Sequence, residues 1–397
     1  MDFSNISLGD ISISKKSPSS SSNDDKFSKL QAEIQGQSTE SIWKSLPYQT
    51  HDFTSINYEN LFSDLQADGV VVIKNVYEKN YCDNLMDRTL DNFEKLGSGV
   101  SRKNLKKTWT DENLPCQTRF GLFQSILGHI EPVWEVRRDE KIKKIFEEMY
   151  LSGQKFTTST TKQESTLPLT VSIDAINIQP YNVGPLSKIN TDPDWAHLDQ
   201  TIRNEPYKCI QGSVTLTNTT AGFRCSPKSH LVHEEILDLH NFPKNATKTN
   251  NWCKLKNEHL NECKNLIENK AGGQYQIPII VPAGSLILWY SSVVHSAIGK
   301  SQYERKSSAD KYLGWRGVFY ICYRPTEEFT DKQLARRKEN IEKNRSMNHW
   351  CTNTFSTQSN MKFKFKIRKN CHENIEKLVE RPELYYEMSG WRPDASW

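Results

Sequence analysis

A change of texture near residue 165 constrains this chain more than any other feature. Beyond it, short runs of branched and aromatic residues recur between glycine and proline turns, at 171–178, 209–217, 285–290 and 316–323. Val171 and Ile173, then Ile176 and Ile178, alternate with period two, as side chains on a pleated strand do. A phase slip between the two pairs predicts a bulge. Pro282-Ala283-Gly284 is a turn between apolar runs. Short strands punctuated in this way close on themselves as a sandwich or barrel, whereas a parallel sheet needs a helix between successive strands.

The first third reads as mainly helical. Leu61, Phe62 and Leu65 share a helical face that stops at Asp68-Gly69, and Val70-Val71-Val72-Ile73 follows as a buried strand. Leu85, Met86, Leu90, Phe93 and Leu96 repeat at helical spacing, as do Ile142, Ile145, Phe146, Met149 and Tyr150. Residues 245–270 form a polar insertion, and helical or irregular structure returns from 327. The expected class is α+β with a mainly β core at about 165–325, in a single domain over 42–397. Residues 1–41, with a serine run at 19–22, bury too little apolar surface to offset their ordering entropy and read as a disordered tail.

Composition narrows the partners. A net charge of +4 on 397 residues is too mild to call for nucleic acid. The ten tryptophans and fifteen tyrosines suit sheet faces and ligand pockets. Nine cysteines without a CxxC pair, behind a start lacking an apolar leader, point to a reduced, cytoplasmic setting. No apolar run is long enough to span a membrane. Cys253, His259 and Cys263 lack a fourth zinc ligand and read as ordinary buried or free groups. Arg336-Arg337-Lys338 reads as a solvated helix face, and the alternating basic stretch 362–369 as a lysine-protected edge strand.

The chemistry concentrates in His197-Leu198-Asp199. On an extended segment His197 and Asp199 point to one side. His295, far downstream at the end of the strand expected to begin after Pro282-Ala283-Gly284, can complete a 2-His-1-carboxylate set, which leaves three cis positions open on a metal and suits ferrous iron. Spacing alone leaves the structural reading open, because an isolated HxD is common and a histidine on a strand is usually a packed residue. No phosphate loop, dinucleotide loop or nucleophile elbow is present.

The surroundings resemble a known family. The segment Leu65-Gln66-Ala67-Asp68-Gly69-Val70-Val71-Val72-Ile73-Lys74-Asn75-Val76, then Trp195-Ala196-His197-Leu198-Asp199-Gln200, Ser226-Pro227-Lys228-Ser229-His230, and Pro282-Ala283-Gly284-Ser285-Leu286-Ile287-Leu288-Trp289 ahead of His295-Ser296-Ala297, are similar in order and spacing to the phytanoyl-CoA dioxygenase-like family. The resemblance implies a double-stranded β-helix (jelly roll, cupin-like) flanked by N- and C-terminal helices. It implies Fe(II) held by His197, Asp199 and His295, with 2-oxoglutarate as co-substrate, and it admits ascorbate as a reductant. It also implies an arginine for the far carboxylate of 2-oxoglutarate: Arg316, with Arg305 as the alternative. Gln179 and Trp195 are candidates to line the co-substrate pocket, and His230 reads as a hydrogen-bonded turn residue. The implied reaction is hydroxylation of a small organic substrate with release of succinate and carbon dioxide. An aspartate at 199, where halogenases of the wider superfamily carry alanine or glycine, favours hydroxylation over halogenation. Two alternatives remain: the same chemistry on a protein or nucleic acid, and a non-catalytic binding protein on a decayed oxygenase fold.

Overall fold

The computed structural model describes residues 48–353 apart from 111, 116–120, 158–166, 182, 184–194, 220–221, 243–251 and 298–308, with 374 besides. The tail 1–41, Arg305 and the stretch 362–369 lie outside the described residues. The described residues belong to the compact unit Leu46–Trp397.

Helix α1 (Tyr58–Asp68) starts where the Asn57 side chain accepts the Asn60 N–H at 2.9 Å. It ends at Gly69, whose φ of 75° lets its N–H return to the Leu65 carbonyl at 2.8 Å. A Cβ at Gly69 would lie 2.4 Å from His230 Nδ1 and 2.7 Å from Val293 Cγ2. His230 is buried there, with Nε2 bonded to the Gln66 carbonyl at 2.9 Å, as expected of a turn residue. Gly69→Ala is therefore expected to destabilise the protein by about 2–4 kcal/mol, combining left-handed strain with overpacking. An unchanged denaturant midpoint would refute this account of the turn.

Helices α2 (Lys79–Lys95), α3 (Glu131–Arg137) and α4 (Glu140–Thr157) follow in the first half of the chain, and α5 (His233–Leu239), α6 (Leu260–Asn265) and α7 (Asp331–Glu342) in the second. A capping box between Thr330 and Gln333 opens α7. The strands are β1 (Gln49–Asp52), β2 (Val70–Lys74), β3 (Leu122–Phe123), β4 (Leu169–Val171), β5 (Ile176–Gln179), β6 (His197–Leu198), β7 (Ile210–Thr215), β8 (Phe223–Cys225), β9 (Cys253–Lys254), β10 (Ile277–Pro278), β11 (Ser285–Tyr290), β12 (His295–Ala297), β13 (Arg316–Tyr320) and β14 (Tyr323–Pro325). They form a seven-stranded sheet in the order β1-β2-β11-β7-β13-β5-β3, a five-stranded sheet in the order β10-β8-β12-β6-β9, and the pair β14-β4. Among the described residues every pairing is antiparallel except β1 with β2. This is a mixed α+β chain built on large, mostly antiparallel sheets.

Strand parity gives the seven-stranded sheet two characters. On one face the helices supply the cover. A Cβ at Gly212 would lie 2.8 Å from Phe146 of α4, and Met86 of α2 lies against Gly317. On the other face Trp289 sits opposite Gln211, Ile287 opposite Ser213, Val318 opposite Asn177, and Arg316 opposite Gln179. Polar side chains on this second face are buried, which a sheet tolerates only where they meet partners or ligands.

The chain breaks three of the expected strands. Residues 171–178 are not one bulged strand: β4 pairs with β14, and β5 pairs with β13 in the seven-stranded sheet. The run 316–323 breaks between β13 and β14, where the Ile321 N–H bonds to the Gly212 carbonyl at 2.9 Å. The Ile321 carbonyl approaches to 2.6 Å of where a Cβ on residue 212 would stand, so only glycine admits the break. The strand after Pro282-Ala283-Gly284 does not run on to His295. It ends at Tyr290, a turn closed by Val293 N–H to the Tyr290 carbonyl at 2.9 Å follows, and β12 joins the other sheet. Arg337 also departs from expectation. It is fully buried rather than solvated, and its guanidinium donates to the carbonyls of Cys351 and Val171.

Candidate metal centre

β6 and β12 are neighbours, and His197 stands directly opposite His295 in their register. The two imidazoles therefore emerge side by side, with ring centroids 4.2 Å apart. Asp199, one residue past β6, is fixed by its N–H to the Ser291 carbonyl at 3.0 Å. One ligand atom from each of His197, Asp199 and His295 lies within 4.8 Å of the others. His295 Nε2 is 3.1 Å from Asp199 Oδ2, and His197 Nε2 is 3.7 Å from Asp199 Oδ1.

The ring orientations suit a metal. His197 Nδ1 faces the Trp195 carbonyl at 3.2 Å, and His295 Nδ1 faces the Val293 carbonyl at 2.9 Å. With a proton on each Nδ1 donated to that backbone oxygen, each ring would offer its Nε2 lone pair to a metal. Trp195 stacks on His197, with ring centroids 4.6 Å apart and 18° between planes. It thus supports the His197 ring, and its Nε1 donates to the Ala297 carbonyl at 3.4 Å. Burial opposes ionisation of Asp199, but His349, His197 and His295 outweigh it and hold the carboxyl well below the usual carboxylate range.

Two residues near Asp199 escaped the sequence reading. Gln211, on the buried polar face of β7, donates from Nε2 to Asp199 Oδ2 at 3.0 Å and to Ser291 Oγ at 3.2 Å. Its alternation with Ser213 and Thr215 was a usable signal. His349, from the segment after α7, places Nδ1 4.0 Å from Asp199 Oδ2. Burial lowers its pKa to about 4, against a smaller opposing pull from Asp199. No local pattern around residue 349 announces this approach. Gln211→Leu should weaken metal binding about 10- to 100-fold by freeing the carboxylate, with the fold intact. Calorimetric metal titration of the variant checks this, and wild-type affinity would exclude the orienting role.

Arg316 opens β13 at 3% exposure. Its Nη2 donates to the Tyr320 hydroxyl at 3.2 Å, its Nε has no hydrogen-bond partner, and no carboxylate among the described residues pairs with it. It lines a cavity with Ser213, Thr215, Phe223, Ile287 and Tyr320. Phe223 also packs 5.6 Å from the His295 ring and 4.4 Å from Trp289, so the wall of this cavity reaches the histidine cluster. Gln179, opposite Arg316, has a buried Oε1 without a partner.

The arrangement joins a mixed α+β fold of large, mostly antiparallel sheets to a His–Asp–His cluster able to hold a metal. No family model matches the chain. It is 23% identical over 298 residues to the Ava biosynthesis cluster protein O of Aspergillus versicolor, covering 72% of this chain and 84% of that protein. Among solved structures it is similar to the GlcNAc-inducible gene 2 protein (DUF1479) of Candida albicans, with 15% identity, TM-score 0.48, and coverage of 92% of this chain and 89% of that one. It is also similar to the epimerase SnoN in complex with Fe3+, alpha ketoglutarate and nogalamycin RO, with 12% identity, TM-score 0.37, and coverage of 68% and 84%. No helix among the described residues is long and apolar enough to cross a membrane.

Proposed function

We propose that this chain is an Fe(II)- and 2-oxoglutarate-dependent oxygenase, on a double-stranded β-helix, that hydroxylates a small organic substrate. The observation that carries the reading is the convergence of His197, Asp199 and His295 beside Arg316, a buried arginine that pairs with no carboxylate among the described residues. Two imidazoles and one carboxylate suit ferrous iron and leave cis positions for an oxoacid and dioxygen. An unpaired buried guanidinium is costly alone, and a ligand carboxylate would offset that cost through a bidentate pair. Iron and 2-oxoglutarate would supply oxidative decarboxylation, with dioxygen as oxidant and succinate and carbon dioxide as products. The chain's own part is to ligate through three side chains, to anchor the far carboxylate on Arg316, and to wall the site with Phe223, Trp289 and Trp195 against water. The relative's name, a biosynthesis cluster protein, supports a small-molecule substrate.

Anaerobic titration of the protein with Fe(II) and then 2-oxoglutarate tests this reading. The expected result is a visible metal-to-ligand charge-transfer band, followed in air by succinate formation. Absence of the band in the intact protein would overturn it.

A further inference from the structure

We propose that the edge strand β9 presents Trp252 as the platform on which the substrate stacks, and that this substrate carries a planar aromatic ring system. The inference rests on the oxygenase reading above and names the class of its substrate. Among the described residues β9 ends the five-stranded sheet, beside β6. Its register sets Lys254 opposite His197 and Cys253 opposite Leu198. Directly paired residues leave a sheet on the same side, so Lys254 shares the face of His197. Cys253 and Leu255 point to the other side, where they are buried with Ala196, Leu198, Val294 and Ile236. One step back along the same register, Trp252 falls in line with Asp199, on the face that carries the cluster. Its indole lies there, with the ring centroid 5.6 Å from that of His197 and 45° between planes.

An exposed apolar side chain taken singly needs no explanation, and position is what distinguishes this one. Trp109, Trp134, Trp289, Trp315 and Trp350 are buried, whereas Trp252 is 50% exposed. Trp195 already stacks on His197 at 4.6 Å and 18°, so the His197 ring has its support without Trp252. The strand that carries Trp252 is anchored. The Leu255 N–H bonds to the Ala196 carbonyl at 2.8 Å, and the Lys256 N–H to His240 Nε2 at 3.0 Å. A half-exposed indole is thus set in advance at the open edge of the metal centre, which lowers the ordering cost when a ligand covers it. Two kinds of ligand stack on an indole face, a planar ring and a cation. A bound metal ion and Lys254 both place positive charge on this side of the sheet, and both oppose a second cation. An aromatic ring is the occupant that remains, and stacking on Trp252 would hold it beside the His197 ring.

The test uses the full-length protein loaded anaerobically with Fe(II) and 2-oxoglutarate, as wild type, Trp252→Ala and Trp252→Phe. Calorimetry reads the affinity of each for 1-naphthol and for decahydro-1-naphthol, which has the same carbon skeleton without the planar π face. The expected result is that wild type prefers 1-naphthol and that Trp252→Ala binds it about 3- to 10-fold more weakly and loses the preference, while Trp252→Phe keeps most of both. Fe(II) affinity and the visible band should be the same in all three proteins. Equal affinity of wild type for the two probes, or binding of neither, overturns the proposal. Equal affinity of the three proteins for 1-naphthol overturns it as well. So does tighter wild-type binding of tetramethylammonium than of 1-naphthol, which marks a cation site. A fall in Fe(II) affinity in Trp252→Ala also overturns it, because the indole would then be a support for the His197 ring. Absence of the visible band in wild type instead overturns the functional reading beneath the proposal.

Discussion

Asp199→Ala is expected to remove iron binding and all 2-oxoglutarate turnover while leaving the fold intact. The carboxylate is the one anionic group of the His197–Asp199–His295 cluster, and three imidazoles surround it. Loss of a mere outer partner of a metal ligand already reduces affinity about 10- to 100-fold, so loss of the ligand itself should exceed that range. The stability consequence differs from the binding one. Asp199 is buried, and it ionises only because positive or polar neighbours outweigh its desolvation. Because those neighbours outweigh the desolvation, removing the carboxylate forfeits a net favourable interaction together with its Gln211 hydrogen bond, so the metal-free variant should also melt below the metal-free wild type while remaining folded. Fe(II) affinity by anaerobic titration and thermal melting of both proteins decide the matter. A variant that still binds Fe(II) at wild-type strength would remove Asp199 from the ligand set. His197→Ala and His295→Ala should behave alike in binding, whereas His230→Ala should retain Fe(II), because His230 bonds to the Gln66 carbonyl.

The second large effect concerns Arg316. Replacing it with leucine should weaken 2-oxoglutarate by about 30-fold to a few thousandfold, since truncating one partner of a buried charge pair costs about 2–5 kcal/mol. Fe(II) affinity should be unchanged, and that split separates an anchor for the oxoacid from a general loss of structure. Arg316→Lys should fall between, because an ammonium cannot form the planar two-point contact of a guanidinium. Leucine should not destabilise the ligand-free protein. The wild-type guanidinium is buried with an unpaired Nε and, among the described residues, has the Tyr320 hydroxyl as its one side-chain partner, and such a charge is costly to keep. Wild-type 2-oxoglutarate binding in Arg316→Leu would turn attention to Arg305.

Much of the skeleton was legible in the chain because it depends on local periodicity. The stop at Asp68-Gly69 follows from a backbone need that glycine meets, and the helices over 79–95 and 140–157 follow from apolar stripes. His197 and Asp199 were recognisable together because two residues of an extended segment share a face. Other features were hidden for a physical reason. Ile173 and Ile176 are close in sequence, yet the strands on either side of them enter different sheets, and which carbonyl accepts the next N–H is settled by a distant strand. Arg337 looked solvated beside Arg336 because a basic run does not reveal which of its members meets buried carbonyls.

By itself, then, the sequence determined element types, turn positions, the pair His197 and Asp199, and the kinds of side chain available for a metal. Those properties reside in the covalent chain and its nearest neighbours. Only the tertiary structure decided that His295 stands opposite His197, that Arg316 is buried with no carboxylate partner among the described residues, and that Gln211 and His349 flank Asp199. Each of these is a contact between residues far apart in the chain. It is selected by sheet register and by the packing of the whole core, for which no short stretch of sequence carries a signal.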